Sequence, residues 1–88
     1  MKYTSQTGGE SRASFSGVLG EELRKARQRA GLTQEEVAAR ARISREYVSK
    51  LERDQYSPTA DVLMRICTAL GTTAWKILRR VEEKRLRD

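Results

Sequence analysis

Apolar residues recur along this chain with the three-to-four-residue period of amphipathic helices. In the first stretch they share one helical face, at Leu19, Leu23, Ala26 and Ala30. This face predicts a first helix over residues 18–30. The same period predicts a second helix over residues 34–40, a third over residues 45–53, a fourth that stops before Gly71 and a fifth that follows Thr73. The pattern therefore predicts an all-α fold of five short helices.

Residues with capping chemistry stand at the predicted helix boundaries. Thr33 and Glu36 have the spacing of a capping box, in which each side chain bonds the other's backbone N–H. The N-caps predicted for the next three helices are Ser44, Thr59 and Thr73. Asp54 follows the third helix, and aspartate accepts the left-handed conformation of a helix end better than most residues. Only a few residues separate the second helix from the third, which requires a sharp angle between them.

The composition fits one small soluble domain of 88 residues. No apolar stretch approaches the roughly 20 residues that cross a bilayer, and the N-terminus lacks the apolar region of a secretory signal. We therefore expect a cytoplasmic protein with no membrane partner. Lysine and arginine outnumber aspartate and glutamate by 18 to 12, for a net charge of +6. This excess favours an anionic partner such as nucleic acid or a membrane surface.

Histidine is absent, and Cys67 is the single cysteine. An internal disulfide is therefore excluded, and the usual metal ligands and histidine-based acid–base chemistry are missing. No nucleophile stands beside an evident base, so we expect neither an enzyme nor a metal or other cofactor. Cys67 lies within an apolar helix face and is interpreted as a small core residue, with thiol sensing as the alternative.

The motifs of the first four helices resemble the Cro/CI-type helix-turn-helix family, also called the XRE family. The matching segments are Leu23–Arg27, Ala30–Ala38, Ile43–Ser44, Val48–Arg53, Ser57–Pro58, Leu63, Ile66–Cys67 and Ala69–Gly71. The resemblance implies a lambda-repressor-like domain in which Gln34–Arg40 is the positioning helix and Arg45–Arg53 the recognition helix. Asp54 departs from the family, which usually has glycine there, and leaves the geometry of the following loop less certain.

The outward face of the third helix carries the predicted base contacts. Once Val48 and Leu51 face the core, polar side chains remain outside, and we expect base contacts from Arg45, Glu46, Ser49 and Lys50. Arginine and lysine suit the acceptors of guanine, whereas glutamate can accept a hydrogen bond from cytosine. The alternative is an ordinary solvated charged face.

Phosphate contacts are expected from residues that flank this helix. Gln34 begins the second helix, where free backbone N–H groups and a short amide can meet a phosphate oxygen. The further candidates, for each of which a packing role is as consistent, are Arg42, Tyr47, Arg53 and Tyr56. The resemblance also implies that Arg27 pairs with Glu52 to tie the first helix to the third, as a structural ion pair.

Size and surface pattern together predict a homodimer. One recognition helix reads only a few base pairs, so two copies on a near-palindromic operator of double-stranded DNA are expected, with half-sites about 34 Å apart. Trp75, Leu78 and Leu86 fall close to one side of the fifth helix and are predicted dimer contacts, with partial burial as the alternative for Trp75. The domain leaves no room for a small-molecule effector module.

Three domain segments follow: a flexible tail over residues 1–16, the DNA-binding domain over residues 17–82 and a charged end over residues 83–88 that is expected to fray. The tail is either untethered, an arm that reaches DNA, or a pairing segment. The chain is similar to restriction–modification controller proteins and to small phage-type repressors, with the controller interpretation favoured. The alternatives are an antitoxin-type module whose main partner is a protein, and a nonspecific nucleic-acid binder.

Overall fold

The structure is a computed structural model that describes residues 18–87, and five helices with no strand make up this part of the chain. The helices are α1 (Val18–Arg29), α2 (Gln34–Ala41), α3 (Arg45–Glu52), α4 (Ala60–Leu70) and α5 (Ala74–Arg87). The predicted all-α class and its five helices are confirmed. The expectations for the tail over residues 1–16 lie outside the described residues.

The apolar helix faces meet in one core. α2 packs against α3 and α4, while α1 packs against α3 and α5. The most deeply buried large side chains are Leu51, Ile77, Val37, Val81 and Cys67. Each buried aliphatic side chain of this size stabilises the fold by about 1.5–3 kcal/mol. Leu19 and Leu23 of α1 are buried as well, so the core draws on all five helices and holds α3 in place by the buried face of that helix.

Cys67 is a core residue, as the sequence predicts, with 1% of its surface exposed. Burial raises the pKa of its thiol to about 11, because the charged thiolate would lose its hydration. The thiol therefore stays protonated near neutral pH.

The predicted caps are present at the helix ends. Thr33 Oγ1 accepts from the backbone N–H of Glu36 at 3.0 Å, and Glu36 Oε1 accepts from the N–H of Thr33 at 2.8 Å. Ser44 and Thr59 likewise accept from backbone N–H groups three residues further on. Asp54 adopts the expected positive φ, at 62°. Local hydrogen bonds thus set where α2, α3 and α4 begin.

The turn between α2 and α3 contains a left-handed residue that the sequence analysis did not predict. Arg42 has φ 61° and ψ 48°, and its N–H bonds back to carbonyl groups of the last turn of α2. The N–H of Ile43 donates to the carbonyl of Ala38 at 3.0 Å. This turn reverses the chain within three residues and starts α3 at a sharp angle.

Several predicted helix ends and one predicted face need correction, beginning with α2, which ends at Ala41, one residue later than predicted. α3 ends at Glu52, one residue earlier than expected. Ala30 is exposed instead of facing the core, because α1 ends at Arg29 and the chain turns at Gly31 with φ 72°. α5 continues to Arg87 and so includes nearly all of the charged end over residues 83–88 that was expected to fray.

An ion pair between α1 and α5 explains the longer last helix. Lys84 Nζ lies 2.7 Å from Glu22 Oε2, and only 4% of the Glu22 side chain is exposed. The hydrogen bond to Glu22 raises the pKa of Lys84. On α5 itself, Arg79 donates to Glu83 at 3.2 Å. These contacts hold the last turns of α5 against the domain.

Candidate nucleic-acid interface

α3 presents one buried and one polar face. Val48 and Leu51 are 3% and 2% exposed and point into the core. The five outward residues at helical spacing are Arg45, Glu46, Ser49, Lys50 and Arg53, of which Ser49 and Lys50 are half-buried. The structure therefore brings the four predicted base-reading residues together on one outward side of α3, which we call the recognition face.

The expected pair between Arg27 and Glu52 is present, with two hydrogen bonds. Arg27 Nε donates to Glu52 Oε2 at 2.7 Å, and Nη2 donates to Oε1 at 3.0 Å. Nη1 of Arg27 also donates to the carbonyl of Leu32 at 3.0 Å. The two side chains are only 15% and 5% exposed, and the bond to Glu52 raises the pKa of Arg27. This bidentate ion pair links α1 and the loop before α2 to the end of α3.

Gln34 extends the ion pair to the surface. Its Nε2 donates to Glu52 Oε1 at 3.0 Å, and its Oε1 accepts from Arg45 Nη1 at 3.4 Å. Because a carboxylate only accepts hydrogen bonds, the amide nitrogen faces Glu52 and the amide oxygen faces Arg45. The side chain that was predicted to meet a phosphate thus already connects the first residue of α3 to Glu52.

Two tyrosines and a lysine on α3 and the loop after it form a second cluster, which we call the tyrosine cluster. The rings of Tyr47 and Tyr56 lie with their centroids 5.9 Å apart at 56° to each other. Lys50 Nζ is 5.2 Å from the centre of the Tyr56 ring, within the range of a cation–π contact. The structure therefore groups Lys50 with two predicted phosphate contacts, Tyr47 and Tyr56.

The other two predicted phosphate contacts lie apart from each other. Arg53 is exposed at the end of α3, where its Nε donates to the carbonyl of Ser49 at 3.3 Å. Arg42 is exposed in the turn before α3. The predicted phosphate residues thus flank the recognition face at both of its ends.

Gly20 sets the distance between α1 and α3, and the sequence analysis did not single it out. A Cβ atom at this position would lie 2.6 Å from the backbone carbonyl oxygens of Leu51 and Glu52. Only a glycine lets the two helix backbones approach this closely. The available signal was a glycine inside an otherwise amphipathic helical stretch.

The predicted dimer residues lie on the outer side of α5. Trp75 is 60% exposed, Leu78 37% and Leu86 79%. At 1.5 Å per residue they extend over roughly 16 Å of the helix. Trp75 also borders a groove with Met64 of α4, so it stands where two exposed surfaces meet.

Among residues 18–87, no helix is long and apolar enough to span a membrane. The same residues contain no group of acidic, cysteine or histidine side chains that could hold a metal ion.

Comparison with known proteins identifies the segment that contains α2 and α3. A family model described as helix-turn-helix matches residues 23–74, more than half of the chain. The chain is 36% identical over 66 residues to an uncharacterized HTH-type transcriptional regulator, y4dJ, of Sinorhizobium fredii, which covers 75% of this chain and 86% of that protein. It also matches longer regulators, of whose length it spans between 38% and 50%.

Several solved structures share the fold, among them two regulators that are about 30% identical to this chain. The clp gene regulator ClgR from Corynebacterium glutamicum superposes with a TM-score of 0.75 at 31% identity, over 80% of this chain and 74% of that one. The restriction-modification controller protein C.AhdI from Aeromonas hydrophila gives 0.69 at 29% identity, over 74% of this chain and 97% of that one. The resemblance inferred from the sequence motifs is therefore confirmed, and the chain belongs to the Cro/CI-type helix-turn-helix family of DNA-binding transcriptional regulators.

Proposed function

We propose that this protein regulates transcription by reading a specific duplex through α3, as a homodimer on a near-palindromic operator and without catalytic activity, in the cytoplasm. The observation that carries the proposal is the chain of hydrogen bonds from Arg27 through Glu52 and Gln34 to Arg45. This chain of hydrogen bonds orients the exposed guanidinium of Arg45, at the start of the helix that would enter the major groove. A side chain that is held in position before binding loses less conformational entropy when it contacts a base.

The base contacts follow from the chemistry of the outward face. The first residues of a recognition helix enter the groove most deeply, so Arg45 and Glu46 reach the base edges first. Arg45 offers two donors to the O6 and N7 atoms of guanine, and Glu46 accepts from the amino group of cytosine. Ser49 lies one turn further along α3, and its short side chain contacts bases where the helix and the DNA approach each other closely. Lys50 reaches base edges from the side of Tyr56.

The phosphate contacts fall to the residues at the ends of α3 and at the start of α2. Arg42 and Arg53 supply charge, while Tyr47 and Tyr56 supply hydroxyl groups. At Gln34 the backbone N–H groups of the first turn of α2 can bind a phosphate while the side chain remains on Glu52. The Arg27–Glu52 pair acts as a structural tie and reads no base.

A homodimer through α5 is supported by the exposure of Trp75, Leu78 and Leu86 on one side of that helix. Large apolar and aromatic side chains at this level of exposure are typical of association surfaces. The similarity to a restriction-modification controller protein favours a regulator of that kind. The alternative is an antitoxin-type module, in which the same apolar side of α5 would bind a different protein.

Selection of duplexes from a random pool at a stated salt concentration tests the proposal. The selected sites should contain two inverted half-sites about one helical turn apart. Arg45→Ala should lower the preference for the selected duplex over a random one by about 1–3 kcal/mol. Arg29→Ala is the matched control, because this exposed arginine ends α1 and lies outside the proposed interface. Selection that yields no shared sequence would contradict the proposed function.

A further inference from the structure

A positively charged groove lies at the end of α2, outside the recognition face of α3. It has a volume of about 220 Å³ and is lined by Arg40, Arg42 and Arg65 together with Met64 and Thr68. Arg40 and Arg42 are exposed. Arg65 Nε lies 3.3 Å from Oδ2 of the exposed Asp61 without a hydrogen bond to it, and this ion pair offsets one of the three positive charges of the groove. The groove therefore keeps two exposed guanidinium groups with a net positive field.

The groove is fixed in relation to the start of α3. Nη1 of Arg65 donates to the carbonyl of Ala41 at 3.0 Å, which ties α4 to the last residue of α2. The next residue, Arg42, adopts φ 61° and stands two positions before Ser44, the N-cap of α3. The turn between α2 and α3 therefore sets both the orientation of the Arg42 side chain and the direction of α3.

This position places the arginine groove beside the backbone of one DNA strand, at the edge of the major groove. The major groove is about 12 Å wide, and an α-helix with its side chains is about 10–12 Å across. When the first turn of α3 enters that space, the residues directly before it lie against the phosphates of one strand. Arg40 shares the lining with Arg42, so the positive surface continues along that strand.

We propose that Arg40 and Arg42 together bind adjacent phosphates of the DNA backbone, in the groove that Arg65 completes. The inference rests on the proposed function and extends it by a second set of backbone contacts, of which the sequence analysis predicted Arg42 alone. Guanidinium groups suit phosphate because their planar donors match two of its oxygens. Such contacts position the protein and carry no base preference.

The test measures how DNA affinity depends on salt for the double variant Arg40→Gln, Arg42→Gln. Each phosphate contact contributes about 0.9 to the slope of log affinity against log salt concentration. The variant should therefore show a slope that is less steep by about 2. Its loss of DNA affinity relative to the original protein should become roughly tenfold smaller between 50 and 200 mM salt. The selected duplex and a random duplex should lose affinity equally.

The matched control is Arg29→Gln, Arg80→Gln. These two arginines line another groove of about 230 Å³, between α1 and α5, so the control removes the same charge elsewhere. Its slope should change by clearly less than that of the first variant. Equal slopes in both variants, with unchanged helical content by circular dichroism, would overturn the proposal and direct attention to an acidic protein as the ligand of the groove.

The two hypotheses fail in different ways. If the original protein prefers no duplex, the proposed function itself is wrong. If it prefers a duplex and the slope of the first variant is unchanged, only the phosphate groove is wrong.

Discussion

At the scale of single residues, Glu52 connects the stability of the fold to the proposed base contact of Arg45. One of its oxygens accepts from both Arg27 and Gln34, and the other accepts from Arg27 alone. The buried carboxylate therefore neutralises Arg27 and also orients the amide that bonds Arg45. A single side chain holds α3 against α1 and sets the starting position of the guanidinium that is proposed to read a base.

Glu52→Gln should lower the free energy of unfolding by about 3 kcal/mol, because a nearly buried arginine loses its counter-charge. Urea unfolding at neutral pH, followed by circular dichroism, measures the change. Glu83→Gln is the control, since it removes a carboxylate from the exposed pair with Arg79, and such pairs contribute about 0–1 kcal/mol. Equal destabilisation by both substitutions would show that the burial of Glu52 has no special weight.

At the scale of helices, the close crossing of α1 over the end of α3 depends on Gly20. α3 is only two turns long, and its own hydrogen bonds stabilise it weakly when it is isolated. Its position therefore comes from neighbours: the buried face, the ion pair of Arg27 and the backbone contact at Gly20. A change in this crossing would tilt the recognition face relative to α2.

Gly20→Ala should destabilise the protein by about 1–3 kcal/mol, since the added methyl group meets two backbone oxygens that cannot move independently. In an unobstructed helix interior the same substitution would stabilise by about 1 kcal/mol, so the sign of the effect is informative. Thermal and urea unfolding provide the measurement. Gln28→Ala at an exposed position of the same helix should change stability by less than about 0.5 kcal/mol. A stabilised Gly20→Ala protein would mean that the two helices are further apart than described.

At the scale of the whole molecule, the predicted DNA-contacting residues and the predicted dimer residues lie on different helices. The recognition face and the tyrosine cluster lie on α3 and the loop after it, and the arginine groove lies at the end of α2. Three of the large exposed apolar side chains, Trp75, Leu78 and Leu86, lie on α5, whereas Met64 lies on α4 and lines the arginine groove. The proposed pairing of two copies through α5 would therefore leave both α3 helices free for DNA.

The double variant Leu78→Asp, Leu86→Asp should be monomeric at concentrations where the original protein is dimeric, because it places charge in the middle of the proposed apolar contact. Sedimentation equilibrium over a range of concentrations gives the association constant. Ala30→Asp makes the same kind of change at an exposed site beyond α1 and should leave association unaffected. A variant that dimerises as well as the original protein would move the interface away from α5.

Much of the fold could be predicted from the sequence because its signals are local. Thr33, Ser44 and Thr59 mark helix starts by bonding N–H groups three residues away, and Gly31 and Asp54 mark ends by adopting positive φ. Apolar periodicity acts over similar distances and predicted the five helices. The outward face of α3 followed as well, since the burial of two of its residues determines where the others point.

Other features depend on how distant segments meet. The sequence determined the helices, their polar faces and the family, because hydrogen bonds and side-chain periods within a few residues carry that information. Only the tertiary structure decided that Gly20 contacts the carbonyl groups of α3, that Lys84 pairs with Glu22 and that Arg40 shares a groove with Arg65. These contacts join residues more than twenty positions apart, and the crossing of packed helices decides which side chains come within a few ångströms.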